Sequence, residues 1–388
     1  MTEPRRPSWF RSAFRMSMRG VLIAVLVLAV WLGWWINSAR EQQAALTAIR
    51  TYDTAANVMY DFQQEADWMG PFPFVEESPP WWPRTILERH LGPDYVHTVD
   101  SLAFGEGPPD AVRPRRPDIL RDVARLSRLR QLSLYLPVGD ADVSLLSRLR
   151  SLTSLELHAE SPGLTDASLR TIGRMSNLEA LSIHDAPVTD AGLTHLAALP
   201  RLKSLTLGEA RTFTPVANRL AVTGTGFAPL ASLPSLTALE ISSSALSGDG
   251  LKHVGALRHL TRLRIKGGSF SDDDLRLLGT LTNLESLEIV GSTIDGTGFR
   301  HLSGLPKLAS VCVESPNVTD AAVPHLARLP ALQGVMLYGT RVTAAGLETF
   351  QTSPRLKQMG LIPAVPGDTK RLKQRLPLCN INIQGKIL

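Results

Sequence analysis

One apolar phrase, L-x-x-L-x-x-L-x-L, limits what this chain can become. It recurs ten times, starting at residues 126, 149, 175, 199, 233, 257, 281, 305, 329 and 353, and six of the nine steps between starts are 24 residues. The cleanest copies are LPRLKSLTL (199–207), LRHLTRLRI (257–265), LTNLESLEI (281–289) and LPALQGVML (329–337). A unit this short cannot bury its own apolar face, so successive units must stack on one another. The closing L-x-L alternates as a strand does, leucines inward and the residue between them outward. A T/S-D-x-G-L-x-x-L segment follows, as in VTDAGLTHLAAL (188–199) and VTDAAVPHLARL (318–329). Its Thr or Ser is an N-cap, accepting from an unpaired backbone N–H of the first helical turn. Each unit therefore reads as strand, turn and short helix. The whole is an α/β solenoid with a parallel sheet on the concave side and helices on the convex side.

This pattern resembles the leucine-rich repeat superfamily over residues 96–388, and in particular its bacterial T-D-A-G-L type with 24-residue repeats behind an N-terminal membrane anchor. The resemblance implies a horseshoe that binds other molecules, because members of that type are mostly known as membrane-associated or interaction proteins. The chain departs from the commonest repeat at the position that often carries a ladder of asparagines. Here it holds Ala186, Ala210, Ser244, Gly268, Ser292 and Thr340, so the backbone groups such asparagines serve need other partners.

Ahead of the repeats, Gly20 to Ile36 carry no charge over 17 residues. At ~1.5 Å per residue the run spans about 25 Å, near the short limit for a bilayer core. Arg5, Arg6, Arg11, Arg15 and Arg19 precede it against Glu3 alone. Such a flank stays in the cytoplasm and sends the following chain across. A cleaved signal peptide would share the basic and apolar parts. The run is long for one, however, ends in Trp31, Trp34 and Trp35, and lacks an A-x-A site. The expectation is an uncleaved signal anchor. The segments are then 1–19, a basic cytoplasmic N-terminus; 20–36, a transmembrane helix; 37–95, a membrane-proximal helix and cap; and 96–388, the repeats with a C-terminal cap. The same five arginines supply most of the chain's net charge of +5, which leaves the repeats near neutral. A nucleic-acid binder needs a basic stripe on its folded face, so that class is set aside.

Residues 38–50 read as a continuing helix, NVMYDFQ (57–63) as a strand, TILERHL (85–91) as a helical stretch, and VHTVDSLAF (96–104) as a degenerate first repeat strand. Trp68, Trp81 and Trp82 are expected to cover the open end of the solenoid, with a docking patch as the alternative. At the far end RLKQRLPLCNINI (371–383) reads as a helix and strand that cap the other edge, with Lys370, Arg371, Lys373 and Arg375 on the solvated helix face.

Candidate binding residues are the outward ones. The concave-face set is Glu156, His158, His184, Glu240, Arg264, Lys266, Glu288, Glu314 and Tyr338. Ten extra residues between starts 199 and 233 fall within 208–224, an insertion whose Arg211, Phe213 and Arg219 are further candidates. His158 and His184 should be neighbours on adjacent strands with Glu156 and Asp185 nearby. They are read as solvated sheet residues, with a zinc site as the sharper alternative. His195, His253, His301 and His325 recur at one helical position and mark a repeat habit. The glycines of TGTGF (223–227) imitate a phosphate-binding loop but align with T-D-A-G-L. Cys312 and Cys379 have no metal spacing around them. No hydrolase, zincin or P-loop motif occurs, and the sequence calls for no cofactor, no resident metal and no catalytic residue. The expected function is recognition or scaffolding of a protein or cell-envelope ligand through the concave face of a membrane-anchored repeat domain. The rivals are a metal-dependent hydrolase using His158 and His184, and a purely structural envelope protein.

Overall fold

A computed structural model describes residues 18–53, 56–60, 98–104, 119–136, 138–158, 163–208, 220–362, 369–384 and 386–387. The basic N-terminus up to residue 17, the helical stretch at 85–91, Trp68, Trp81, Trp82, Arg211, Phe213 and Arg219 lie outside the described residues.

Fourteen strands form one sheet in strict chain order: β1 (Asn57–Tyr60), β2 (Val99–Phe104), β3 (Gln131–Leu134), β4 (Ser154–His158), β5 (Ala180–His184), β6 (Ser204–Gly208), β7 (Ala238–Ser242), β8 (Arg262–Lys266), β9 (Ser286–Val290), β10 (Ser310–Glu314), β11 (Gly334–Tyr338), β12 (Gln358–Ile362), β13 (Asn380–Ile383) and β14 (Lys386–Ile387). From β2 to β13 every pairing is parallel, whereas β1 on β2 and β14 on β13 are antiparallel. The short antiparallel strands occupy both edges, where an unpaired parallel strand would invite association with another chain. Val99, Leu102 and Phe104 do form the first repeat strand, in register with β3.

The repeat register does not slip. Leu155 lies beside Leu181, Leu181 beside Leu205, and Leu205 beside Leu239. Each such leucine is at most 2% exposed, so the inward columns make one continuous core. Strands repeat every ~4.8 Å, but an α-helix with its side chains is about 10 Å across. The helical side is therefore crowded, the stack curves away from it, and several units use the narrower 3₁₀ helix. Asp166–Ile172 and Gly248–Gly255 are α-helical, while Thr225–Ser232, Asp272–Thr280 and Thr297–Leu302 are 3₁₀.

A second ladder ties the units together on the helical side. The expected caps are present: Thr165, Thr189, Ser247 and Thr343 each accept a backbone N–H of their own first turn. The Asp after the cap reaches forward, to the next repeat. Asp166 accepts from the backbone N–H and hydroxyl of Thr189, at 2.9 and 2.7 Å, and Asp320 does the same for Thr343 at 2.7 and 2.7 Å. Asp190 takes Thr223 N–H, Thr223 Oγ1–H, Gly224 N–H and Gly226 N–H, at 2.7–3.0 Å. This explains the glycine of T-D-A-G-L. A Cβ on Gly192 or Gly346 would overlap the carboxylate of Asp166 or Asp320. Where a repeat has Ser168 instead, its hydroxyl donates to Asp140. The TGTGF glycines are part of this ladder, and their N–H groups are already taken by Asp190 rather than open to a phosphate.

The missing asparagine ladder is answered at the turn after each strand. Gly267, Gly291 and Gly339 take positive φ there, as does Asp185 at 57°. Their N–H groups donate across to the next strand's last carbonyl, Gly267 to Val290 and Gly291 to Glu314, for example. Ser243 makes the same bond to the carbonyl of Lys266, and Ser243 and Ser315 also turn a buried hydroxyl inward, Ser243 Oγ to the carbonyls of Leu220 and Val222 and Ser315 Oγ to that of Ile294.

The first helix, α1 (Met18–Tyr52), is one unbroken element of 35 residues. It is long and apolar enough to cross a membrane, and Val21 to Ile36 are exposed on all faces. Its second half changes character: Ala45, Leu46 and Ile49 are fully buried, against the first helical segment of the repeats (Ile119–Val123). Among the described residues, then, α1 and β1 cover the N-terminal end of the core. At the other end the helix Thr369–Arg375 and β13 form the expected cap. Its basic face is not merely solvated: Arg371 and Arg375 both reach Glu348, at 2.9 and 3.8 Å, and Lys373 donates to the carbonyl of Cys379.

Candidate functional site

The concave surface is built from outward residues of the parallel strands, and parallel register sets them in two straight columns. Three chemically different zones follow one another along it.

The first zone joins β3, β4 and β5. Register places His158 beside His184. Their rings stack with centroids 4.4 Å apart and a 23° interplanar angle, and Tyr135 lies on the other face of His158 at 4.2 Å. Both imidazoles turn Nε2 toward one oxygen of Glu156, 3.0 Å away for His158 and 3.6 Å for His184. Ser133 Oγ donates to the other oxygen at 2.9 Å. Hydrogen bonds from His158, then His184, outweigh the cost of burial and hold the Glu156 carboxyl far below the ordinary carboxylate range. These residues are not ordinary solvated ones: the His184 side chain is 10% exposed and that of His158 13%. Tyr135 and His184 both lie against the His158 ring, and His158 covers one face of His184. Asp185 takes no part in the cluster, because it occupies the left-handed turn that ends the strand.

The middle zone is a charge ladder. Arg264 on β8 lies between Glu240 on β7 and Glu288 on β9, 3.5 and 3.4 Å from their carboxylate oxygens. The Arg264 Nε is buried without an aligned hydrogen bond, so charge rather than directed bonding holds the guanidinium. Lys266 is beside it, in register with Val290. Cys312 neighbours Glu288. Burial and then the Glu288 charge push its thiol up to about 12. It is therefore a packed thiol and not a thiolate nucleophile.

The last zone is apolar. Met336 and Ile362 are 38% and 50% exposed. Tyr338 is on the same strand as Met336, in register with Ile362, and donates its hydroxyl to Met336 Sδ at 3.2 Å. With Gly360, Asn380 and Asn382 they line a shallow depression of about 340 Å³. Glu314 is exposed at its edge, in register with Tyr338.

Structure thus gathers Glu156, His158 and His184 into one cluster and Glu240, Arg264 and Glu288 into another. Tyr338 and Glu314 belong to a third place. Sequence reasoning missed Met336 and Ile362 as contact residues. The available signal was an apolar side chain at an outward position, where most other copies carry polar or small ones.

No family model matches the chain, and no curated protein matches it by sequence. Solved structures do resemble it. The yeast complex of Rad7 and Elc1 is similar over 96% of this chain and 94% of that chain, with a TM-score of 0.52 at 16% identity. An internalin, inlF, from Listeria monocytogenes gives 0.49 at 19% identity, over 78% of this chain and 80% of that one. The plant peptide hormone receptor RGFR1 in complex with RGF2 gives 0.38 at 17% identity, over 68% of this chain and 45% of that one. At these identities the likeness concerns the fold, and of these three the yeast structure, with a TM-score above 0.5, carries that argument. The repeat register and the likeness agree on a leucine-rich repeat solenoid.

Proposed function

We propose that this chain is a membrane-anchored recognition protein that binds a protein or cell-envelope ligand through its concave face. One observation carries the reading. Outside α1, the exposed large hydrophobic side chains among the described residues are Met336, Ile362 and Leu378, and two of these three sit together on the concave face. A rim of Asn380, Asn382 and Glu314 surrounds an apolar centre that contains a tyrosine. That is the composition of a protein-binding hot spot, an aromatic or aliphatic anchor within a polar border. The charge ladder of Glu240, Arg264 and Glu288 would then orient the ligand, since charged groups contribute more to specificity and approach than to affinity. That the yeast neighbour was solved as a complex of two proteins accords with this use of the fold. In this reading the exposed half of α1 crosses the bilayer, the arginines before it stay in the cytoplasm, and the repeats face the other side. The insertion carrying Arg211, Phe213 and Arg219 would add contacts at the edge.

The test is photo-crosslinking in living cells. A benzophenone side chain at Tyr338 should give a discrete adduct that one at Lys252, exposed on the helical side, does not, and Ile362→Asp should abolish it. Identical adducts from both positions would overturn the concave-face reading. A tag at the C-terminus of the same chain should become protease-accessible when the outer layers are opened, and protection would reverse the orientation.

A further inference from the structure

We propose that Glu156, His158 and His184 form a binding site for a divalent transition cation of zinc's class. The inference goes beyond ligand recognition and does not depend on it.

Three donor atoms of the right kind converge. Glu156 Oε1 and the Nε2 atoms of His158 and His184 all lie within 4.8 Å of one another. A tetrahedral zinc ion with bonds of ~2.0–2.1 Å holds its ligand atoms about 3.4 Å apart. The two Nε2–Oε1 separations, 3.0 and 3.6 Å, bracket that value. The two Nε2 atoms also lie within 4.8 Å of each other, and the near-parallel rings must tilt to aim both lone pairs at one ion. Two imidazoles and one carboxylate are also a donor set that zinc accepts with a position left over. The Glu156 side chain is 31% exposed, so that position opens to the concave face.

The support around the donors is what a ligand set needs. Ser133 Oγ binds the second carboxylate oxygen and so fixes which oxygen meets the histidines. Tyr135, just past β3, lies tilted against His158, and His158 stacks on His184, which sets the spacing of the imidazoles. His184 Nε2 is the nitrogen turned toward Glu156, and its buried Nδ1 lacks the outer partner that ligating imidazoles usually have. The cluster also occurs once. None of the other eight repeat phrases is followed by an outward histidine, and the recurrent His195, His253, His301 and His325 lie on helical segments instead.

The experiment uses the full-length chain in detergent, stripped with chelator and titrated with zinc against a chromophoric competitor at neutral pH. One equivalent should bind. His184→Ala and Glu156→Gln should each lose that equivalent, Ser133→Ala should weaken it by roughly tenfold as an outer partner does, and His195→Ala should leave it intact. Cobalt should bind the wild type with the intense visible absorption of a tetrahedral centre, and that absorption should vanish in His158→Ala. Circular dichroism identifies any variant that fails to fold, in which case the isosteric Glu156→Gln change decides. Absence of a stoichiometric equivalent, or equal binding by wild type and Glu156→Gln, would overturn the proposal and leave the cluster as a hydrogen-bonded stack.

Discussion

Two sets of carboxylates do different work on opposite sides of this solenoid. On the helical side Asp140, Asp166, Asp190, Asp272 and Asp320 accept from backbone N–H groups and hydroxyls of the following repeat. On the concave side Glu156 meets two imidazoles, and Glu240 and Glu288 meet one guanidinium. The first set recurs in five of the units and has neutral partners, backbone N–H groups and hydroxyls. The second appears once per zone and has ionisable partners that no other unit supplies. In a repeat protein, what recurs builds the stack, and what interrupts the recurrence marks a site.

Acid should have the largest effect, and it acts on the helical-side set together with Glu156, whose carboxyl is also held low. Burial opposes ionisation of Asp140 and Asp190, but the hydrogen bonds from Ser168 and Thr165, and from Gly226, Thr223 and Gly224, outweigh it and lower both pKa values. Asp274 is lowered by the backbone N–H and hydroxyl of Ser271. A lowered folded-state pKa contributes stability that is complete above the unfolded value of about 3.8 and is lost as pH falls through the folded one. Stability measured by denaturant titration should therefore hold near neutrality and decline steeply below about pH 4. A flat profile down to pH 2 would break the comparison. The next largest effect should be Asp190→Ala, which strands three backbone N–H groups between repeats. Loss of bonds to a charged acceptor should cost roughly 2–3 kcal/mol, read from the denaturation midpoint. Smallest in stability should be Arg264→Met, because a half-exposed ion ladder is worth about 0–1 kcal/mol. That variant should nevertheless reduce the adduct formed at Tyr338. A large destabilisation with the adduct intact would move Arg264 into the structural set.

Much of the fold was legible in the leucines, because strand register in a parallel stack follows directly from their period. The degenerate strand at Val99–Phe104 and the C-terminal cap were readable for the same reason. The forward reach of the aspartates was not. T-D looks like a local cap, and a bond between residues 23 to 36 apart leaves no local signature. The second half of α1 read as a plain helical continuation, since nothing in AALTAI says what it packs against. In the candidate site, the outward columns could be listed but not weighed. Whether His184 is solvated depends on ring stacking across strands, and whether Met336 and Ile362 join depends on curvature.

The continuity of α1 has a mechanical consequence. Its 35 residues make a rod of about 52 Å, with one end apolar and bare and the other sunk into the first repeat. No Gly-Pro hinge or linker intervenes where the character changes. With the bare end in a bilayer, the horseshoe is mounted on a shaft and not hung from a cord. Its heading and its height above the surface are set by the tilt of a single helix, so a ligand that tips the domain must also lever the helix within the lipid.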